Sequence, residues 1–151
     1  MKARGVAIEF LVAGEGEVFA ESQRRAKSEQ LPVTFLGWRK DIAELFAASD
    51  IAILTSDNEG IPLTLIQAAQ AGLPIIAPKV GSISDIVEND VTGFLTSPAP
   101  GAMASALSAL ATDEKMRIQL GNAGKRRASE LFSLERMLRD HTEIYHLAHN
   151  E

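Results

Sequence analysis

A strand, a helix and a second strand are predicted by IAILTSDNEGIPLTLIQAAQAGLPIIA, residues 51–77. Ile51–Leu54 is entirely apolar, as expected of a strand in a parallel sheet whose two faces are both covered. Pro62 is expected to open a helix and Gly72 to close it, because proline suits the first helical turn and glycine suits the residue after the last. Pro74–Ala77 is the next predicted strand.

The same alternation extends over the first two thirds of the chain. Further strands are predicted at Val6–Ala13, Val33–Leu36 and Gly93–Leu95, and further helices within Glu15–Gln30, after Asp41 and near Ser84–Glu88. Asp41, with Glu44 three residues later, has the spacing of a capping box. After Pro98 only helices are predicted, at Ala102–Ala111, at Glu114–Ala128, and from the cap residue Ser133 to about His149. The fold class is therefore α/β, a parallel sheet with helices on both faces and a helical C-terminal third.

Length and composition set further limits. The 151 residues fit one domain, with a strand–helix core at about residues 5–98 and a helical tail at about residues 99–151. Fifteen basic against 20 acidic side chains give a net charge of −5, and aromatic residues are only 5%, which argues against nucleic-acid binding. There is no cysteine, no apolar run long enough for a membrane span, and no signal-peptide pattern after Met1. We expect a soluble, intracellular domain.

Ligands of open parallel sheets bind at the carboxyl ends of the strands. Three predicted loops lie there: Gly14–Glu17, Gly37–Asp41 and Thr55–Pro62. The first begins with Gly14-Glu15-Gly16, but Phe19 replaces the third glycine of a dinucleotide-binding loop. A tight turn into an acidic helix start is therefore favoured over a nicotinamide cofactor site.

The third loop offers a phosphate site. Leu63 and Thr64, directly after Pro62, carry N–H groups at a helix N-terminus, where anions bind. Glu59 and Gln67 flank this position with side chains that can accept hydrogen bonds from hydroxyl groups. The pattern fits a nucleotide–sugar ligand, and it fits equally well a helix that Glu59 and Asn58 merely cap.

Several segments together resemble a known family. EGIPLTLIQAAQAGLPIIA at residues 59–77 resembles the donor motif of family 4 ("group 1") glycosyltransferases, which have the GT-B architecture of two facing Rossmann-like domains. The resemblance also includes Val12–Glu17, Val33–Gly37, Ser49–Ile51, Val80–Ser82 and Val91–Leu95. Their order and spacing match the C-terminal, donor-binding domain. The resemblance implies one Rossmann-like half of a GT-B fold.

The family's pattern also implies roles for residues. Glu59 would hold a hydroxyl of the transferred sugar and stabilise charge near the anomeric carbon, as the catalytic residue. The amides of Leu63 and Thr64 would meet the diphosphate, and Gln67 stands where the family has a second glutamate that holds the nucleotide ribose. The glutamine keeps one acceptor but loses the charge-assisted bond, at a cost on the order of 1–2 kcal/mol.

The loop Leu36–Arg39 would border the nucleobase, with Arg39 or Lys40 as a polar contact, and Trp38 either stacks on the base or covers the sheet end. The predicted donor-binding residues are Gly60, Ile61, Pro62, Leu63, Thr64, Gln67, Leu36, Gly37, Trp38 and Arg39.

The resemblance implies a retaining, metal-independent transfer from a UDP-, GDP- or ADP-linked sugar, with no cofactor. The family's donor domain normally begins with a further strand and a cationic segment and works with an N-terminal acceptor domain. We therefore expect this chain alone to bind donor without efficient turnover, in the cytoplasm or at the membrane surface in a full-length enzyme. The alternative is a non-catalytic Rossmann-like interaction module that has lost donor binding, which the glutamine at position 67 favours.

The predicted last helix carries His141, His146 and His149. His146 and His149 have the spacing of a metal-binding pair, but no third ligand is evident, so no metal is expected. His141 is expected to pack on an apolar stripe formed by Leu134, Leu138 and Tyr145, and that stripe is a candidate sticky surface. Lys125–Arg127 is expected to be a helix C-terminus.

Overall fold

A computed structural model describes residues 2–3 and 6–149 of the chain. Its strands are β1 (Lys2–Ala3), β2 (Val6–Ala7), β3 (Phe10–Ala13), β4 (Val33–Gly37), β5 (Ala52–Ile53), β6 (Ile75–Pro78) and β7 (Gly93–Thr96). Its helices are α1 (Phe19–Ser28), α2 (Ile42–Ala47), α3 (Leu63–Gln70), α4 (Ile83–Ile86), α5 (Pro100–Thr112), α6 (Glu114–Leu131) and α7 (Leu134–His149). Helix α7 begins directly after Ser133. The prediction that Ser133 caps this helix is confirmed, because the Arg136 N–H donates a hydrogen bond to the Ser133 hydroxyl at 3.2 Å.

The longer strands form parallel sheets. β3 pairs in parallel with β4, and β6 lies between β5 and β7 in parallel with both. The predicted α/β class, with parallel strands and flanking helices, is confirmed. The strands do not form one continuous sheet, however, because among the described residues no hydrogen-bonded pairing joins the β3–β4 pair to the β5–β6–β7 sheet.

The prediction of a single strand at Val6–Ala13 is wrong. The chain forms β2, which pairs antiparallel with β1, and resumes as β3 only at Phe10. Between them the exposed carboxylate of Glu9 accepts a hydrogen bond from the Thr34 hydroxyl at 2.7 Å. The proposed start of the core at Gly5 lies outside the described residues.

The β5–α3–β6 unit predicted from residues 51–77 forms the centre of the core. Leu65, Ile66, Ala68 and Ala69 of α3 are buried, as are all four residues of β6. Gly72 ends the helix with φ of +83°, a conformation that glycine adopts without strain. α6 then packs closely on this turn, since a Cβ on Gly121 would lie 1.9 Å from the Gly72 carbonyl oxygen.

Two helix ends differ from the sequence-based expectation. Asp41 precedes α2 but makes no side-chain cap, because its carboxylate pairs with Arg39 instead. α6 continues to Leu131, so Lys125–Arg127 is not a helix end. Arg127 points across to α4, where its guanidinium donates to the carbonyl oxygens of Ile86 at 3.2 Å and Asp85 at 3.0 Å. No helix in the described part of the chain has the length and apolar character needed to cross a bilayer.

Candidate functional site

Glu59 lies in the loop that joins β5 to α3, and the loop after β6 packs against it. Gly81, in that second loop, has φ of +51°, and a Cβ there would lie 1.8 Å from the Glu59 carbonyl oxygen. Only a glycine allows this approach. The backbone of Glu59 is thereby fixed, while its side chain is half-buried and its carboxylate accepts no hydrogen bond from the described residues.

The N-terminus of α3 presents free amides beside Glu59. The Pro62 carbonyl accepts hydrogen bonds from Leu65 N–H at 3.0 Å and Ile66 N–H at 3.4 Å, so the helix ladder starts there. The N–H groups of Leu63 and Thr64 have no acceptor among the described residues, and no side chain caps the helix. The capping role that the sequence left open for Glu59 and Asn58 is therefore absent from this part of the chain. Two free donors and the positive end of the helix dipole favour an anion here.

Gln67 shares the exposed face of α3 with these amides. It lies three residues after Thr64 and four after Leu63, a spacing that places helical residues above one another. All three side chains are exposed, whereas the intervening Leu65 and Ile66 are buried. Leu63, Thr64 and Gln67 therefore share the exposed face of α3, and Glu59 precedes Leu63 by four residues in the adjoining loop.

The loop after β4 meets the loop after β3. Gly37 turns the chain with φ of +64°, and the Trp38 N–H donates a long hydrogen bond of 3.4 Å to the Glu15 carboxylate. Trp38 is 64% exposed, so most of its surface is accessible. The Lys40 ammonium lies 5.3 Å from the ring centroid, within the range of a cation–π contact.

Arg39, proposed as a contact to the base, is held by Asp41. Its Nε donates to Asp41 Oδ1 at 2.8 Å, and a second nitrogen contacts Oδ2. This pair raises the pKa of the Arg39 guanidinium and lowers the pKa of the Asp41 carboxyl, in both cases first through the hydrogen bond. A ligand would have to share the guanidinium with Asp41.

The predicted site residues fall into two groups on two sheets. Glu59 to Gln67 belong to the loop and helix after β5, whereas Leu36 and Gly37 end β4 and Trp38 and Arg39 follow it. Among the described residues no hydrogen bond or ion pair joins the groups. A cavity of about 490 Å³ contains neither group, and residues of β3, β5 and α5 are among those that line it. The surface at Glu59 is open, which suits an extended ligand more than a small enclosed one.

Sequence reasoning missed two residues that shape these loops. Glu15 was interpreted only as an acidic residue at a helix start, yet its carboxylate accepts a hydrogen bond from the Trp38 N–H in the loop after β4. Gly81 occurs in the Val80–Ser82 match, but its contact with Glu59 depends on a positive φ that sequence spacing does not reveal. A glycine in the loop that follows a predicted buried strand was the available signal.

The histidines do not form a metal site in the described chain. No group of three potential ligands occurs there, and the side chain of His149 lies outside the described residues. The expected packing of His141 is wrong, because the residue is exposed and its Nδ1 lies 2.8 Å from the Met137 carbonyl oxygen. The apolar stripe of α7 is exposed as well, with Leu134 at 62% and Tyr145 at 72%.

Comparisons with known proteins bear on the family. A family model described as "Glycosyl transferases group 1" matches residues 1–127. The chain is 29% identical over 141 residues to an N-acetyl-alpha-D-glucosaminyl L-malate synthase of Bacillus anthracis, a match that covers 91% of the chain and 37% of that relative. The chain therefore spans little more than a third of this relative's length.

Two solved structures are similar as well. Anabaena HepE in complex with UDP and glucose superposes with a TM-score of 0.79 at 26% identity, over 91% of this chain and 40% of that one. The C-terminal domain of LpcC, a group 1 glycosyl transferase of Francisella tularensis, gives a TM-score of 0.69 at 25% identity, over 76% of this chain and 62% of that one. The resemblance inferred from the motifs is confirmed, and the chain belongs to the group 1 glycosyltransferase family.

Proposed function

We propose that this chain is the donor-binding C-terminal domain of a retaining, metal-independent glycosyltransferase that uses a nucleotide-activated sugar. One observation carries the proposal: α3 begins with the free amides of Leu63 and Thr64, directly after the loop of Glu59, and Gln67 lies on the same exposed helix face. The complex of HepE with UDP and glucose supports a nucleotide ligand. The similarity to the LpcC C-terminal domain supports the position of this chain in a longer enzyme.

The α3 N-terminus binds the diphosphate. Two N–H donors together with a helix end that carries about +0.5 elementary charge stabilise the negative charge of the leaving group. When the bond from the anomeric carbon to the phosphate oxygen breaks, the electron pair leaves with the diphosphate, and this is where the stabilisation acts. These neutral donors remain available without a metal ion.

Glu59 acts on the sugar. Its carboxylate has free acceptor sites beside the anion position, so it holds a sugar hydroxyl and places negative charge near the anomeric carbon as positive charge develops there. The acceptor hydroxyl forms the new bond to the anomeric carbon on the face that the diphosphate leaves, and its proton passes to the leaving phosphate oxygen. This path retains the configuration of the sugar.

Gln67 holds the ribose. Its amide accepts one hydroxyl hydrogen bond and donates others, without the charge that a glutamate would supply. This neutral side chain and the open surface around Glu59 also favour the second candidate function, an interaction module that no longer binds donor.

Calorimetric titration of the chain with UDP, GDP and ADP, in the presence of EDTA, separates the two functions. We expect one nucleotide to bind selectively. Gln67→Glu should tighten that binding by about tenfold, because a charge-assisted hydrogen bond adds on the order of 1–2 kcal/mol. Absence of binding by all three nucleotides at millimolar concentration, in both the parent and the Gln67→Glu chain, would contradict the donor site and favour the interaction module.

A further inference from the structure

The side chain of Arg127 crosses from α6 to α4. Its guanidinium donates from Nε to the Ile86 carbonyl at 3.2 Å and from a terminal nitrogen to the Asp85 carbonyl at 3.0 Å. The other terminal nitrogen lies 3.4 Å from the Glu88 carboxylate. The last carbonyls of a helix have no partner within it, so Arg127 binds groups at the end of α4 that the helix itself leaves unpaired. The planar guanidinium can donate to all three oxygens at once, which an ammonium group cannot do in this geometry.

Helix α4 continues directly from the loop that fixes Glu59. The Ile83 N–H, at the start of α4, donates to the Val80 carbonyl at 3.3 Å and closes the turn that contains Gly81. Gly81 in turn lies so close to the Glu59 carbonyl oxygen that there is no room for a Cβ. Because parts packed this closely cannot move independently, a displacement of α4 also displaces Gly81 and the backbone of Glu59.

Helix α6 also holds α3, the helix of the proposed diphosphate site. Gly121 of α6 packs so closely on the turn after α3 that a Cβ there would overlap the Gly72 carbonyl oxygen. A Cβ on Gly124, one turn later, would lie 3.9 Å from the Ala69 side chain of α3. Arg127 follows Gly124 by three residues and so lies next along the same face of α6. One helix therefore contacts both α3 and α4.

The contacts that hold α3 and α4 on α6 differ in kind. Close packing at two glycines of α6 holds α3 and involves no part of Arg127. Helix α4 is a single turn of four residues with no side-chain cap at its N-terminus, and the guanidinium binds its other end. Loss of the guanidinium should therefore loosen the end of α4 and leave α3 in place, while the buried side chains of Ile83 and Ile86 keep α4 in the core.

We propose that Arg127 is a positioning residue for Glu59, which it holds in register with the α3 N-terminus through α4 and Gly81. The inference rests on the proposed function of Glu59 and adds a residue that acts without touching the substrate. Glu59 acts on charge at the anomeric carbon, whereas the α3 amides bind the diphosphate. A shift of Glu59 should therefore lower the rate of transfer and leave nucleotide affinity unchanged. A displacement of about 1 Å can lower a rate by about 100-fold.

A double-mutant cycle in a full-length enzyme that contains this chain tests the proposal. Arg127→Lys keeps the positive charge but loses the planar fork. We expect it to lower kcat about tenfold or more, while the Kd of the nucleotide that binds (UDP, GDP or ADP) changes by less than about twofold. In an enzyme that already carries Glu59→Ala, the same substitution should lower kcat by less than about twofold, because it acts only through the missing carboxylate.

Two further measurements separate positioning from a loss of folding. Each kcat is divided by the folded fraction from urea unfolding, so that a merely destabilised variant keeps its value. NMR of the labelled chain needs no donor: Arg127→Lys should shift the amide signals of Glu59 and Gly81 and leave that of Leu63 in place. Arg126→Lys is the matched control, because Arg126 is the exposed neighbour on the same helix, and it should change neither kcat nor these signals.

Three outcomes would overturn the role of Arg127. One is that the effects of Arg127→Lys and Glu59→Ala on kcat multiply, another is that Arg127→Lys weakens nucleotide binding as much as it lowers kcat, and the third is that the Glu59 and Gly81 amides do not shift. An unchanged kcat in Glu59→Ala alone would instead contradict the proposed function, and the positioning role with it. The two failures are distinguishable because the first three outcomes leave the effect of Glu59→Ala intact.

Discussion

Glu59 is held through its backbone, which leaves its carboxylate available for a ligand. The close approach of Gly81 fixes the carbonyl oxygen of Glu59, while no described side chain pairs with the carboxylate. A structural glutamate at a loop of this kind usually caps the next helix, and α3 has no such cap. At the residue scale, this combination is what the proposed role of Glu59 requires.

Glu59→Ala tests that distinction in a full-length enzyme that contains this chain. We expect turnover to fall about 100-fold or more, as when a group that stabilises transition-state charge is removed. The free energy of unfolding should change by less than about 0.5 kcal/mol, because the carboxylate accepts no hydrogen bond from the described residues. Steady-state kinetics and urea unfolding check the two parts, with Asp57→Ala, an exposed acid of the same loop, as the control.

Gly81→Ala tests the backbone contact. An added Cβ would lie 1.8 Å from a backbone oxygen, so one loop must move. We expect a loss of about 2–4 kcal/mol of stability in chemical unfolding. Gly101→Ala is the matched control, because a Cβ there meets nothing within 4 Å. Equal effects of the two substitutions would show that the contact with Glu59 is unimportant.

The Arg39–Asp41 pair predicts a dependence of stability on pH. Arg39 lowers the pKa of Asp41 below its usual value of 3.8, so the folded state favours the ionised carboxylate. The stabilisation is complete above that unfolded-state value and disappears as the pH falls through the lower folded-state pKa. Arg39→Gln should remove this stabilisation. The free energies of unfolding of the parent and the variant, measured with urea, should therefore differ near pH 6 and converge as the pH approaches 2. A difference that persists at the lowest pH would point to another cause.

At the scale of elements, the β5–α3–β6 unit is the part that sequence predicts best. Its strands are apolar throughout, and Pro62 and Gly72 mark the helix ends by chemistry that acts locally. The split of Val6–Ala13 into two strands was not predictable in this way. It depends on the pairing of β2 with β1 and on the contact of Glu9 with Thr34, which is 25 residues away.

The same contrast applies to the candidate site. Glu59, Leu63, Thr64 and Gln67 are close in sequence and were found together from their spacing. The Asp41 carboxylate pairs with Arg39 and so does not cap α2, and the Glu15 carboxylate accepts a hydrogen bond from the Trp38 N–H. Both arrangements depend on competing side-chain contacts. The extent of α6 past Arg127 reflects tertiary hydrogen bonds to α4, which override the local signal of a basic helix end.

Asp113 provides a test at this scale. Its carboxylate accepts a hydrogen bond from the Met116 N–H at 2.9 Å and thereby caps the N-terminus of α6. Asp113→Ala should cost about 1 kcal/mol and lower the melting temperature by roughly 2–4 °C for a chain of this size. Asp113→Ser, which keeps an acceptor, should recover most of the loss. If serine and alanine destabilise the chain equally, the cap does not contribute.

At the scale of the whole molecule, two parallel sheets each present loops at their strand ends. The predicted sugar and diphosphate contacts lie after β5 of the β5–β6–β7 sheet, and the predicted base contacts lie at the end of β4 and directly after it.

NMR titration of the isotopically labelled chain with UDP, GDP and ADP in turn, in EDTA, tests the donor site most directly. The account predicts that one nucleotide shifts the amide signals of Leu63 and Thr64 most strongly, with smaller shifts at Gly81 and in the loop of Trp38. Signals of α7 should stay unchanged. Unshifted Leu63 and Thr64 amides at saturating nucleotide, or no response to any of the three at millimolar concentration, would contradict the central claim that α3 binds the diphosphate.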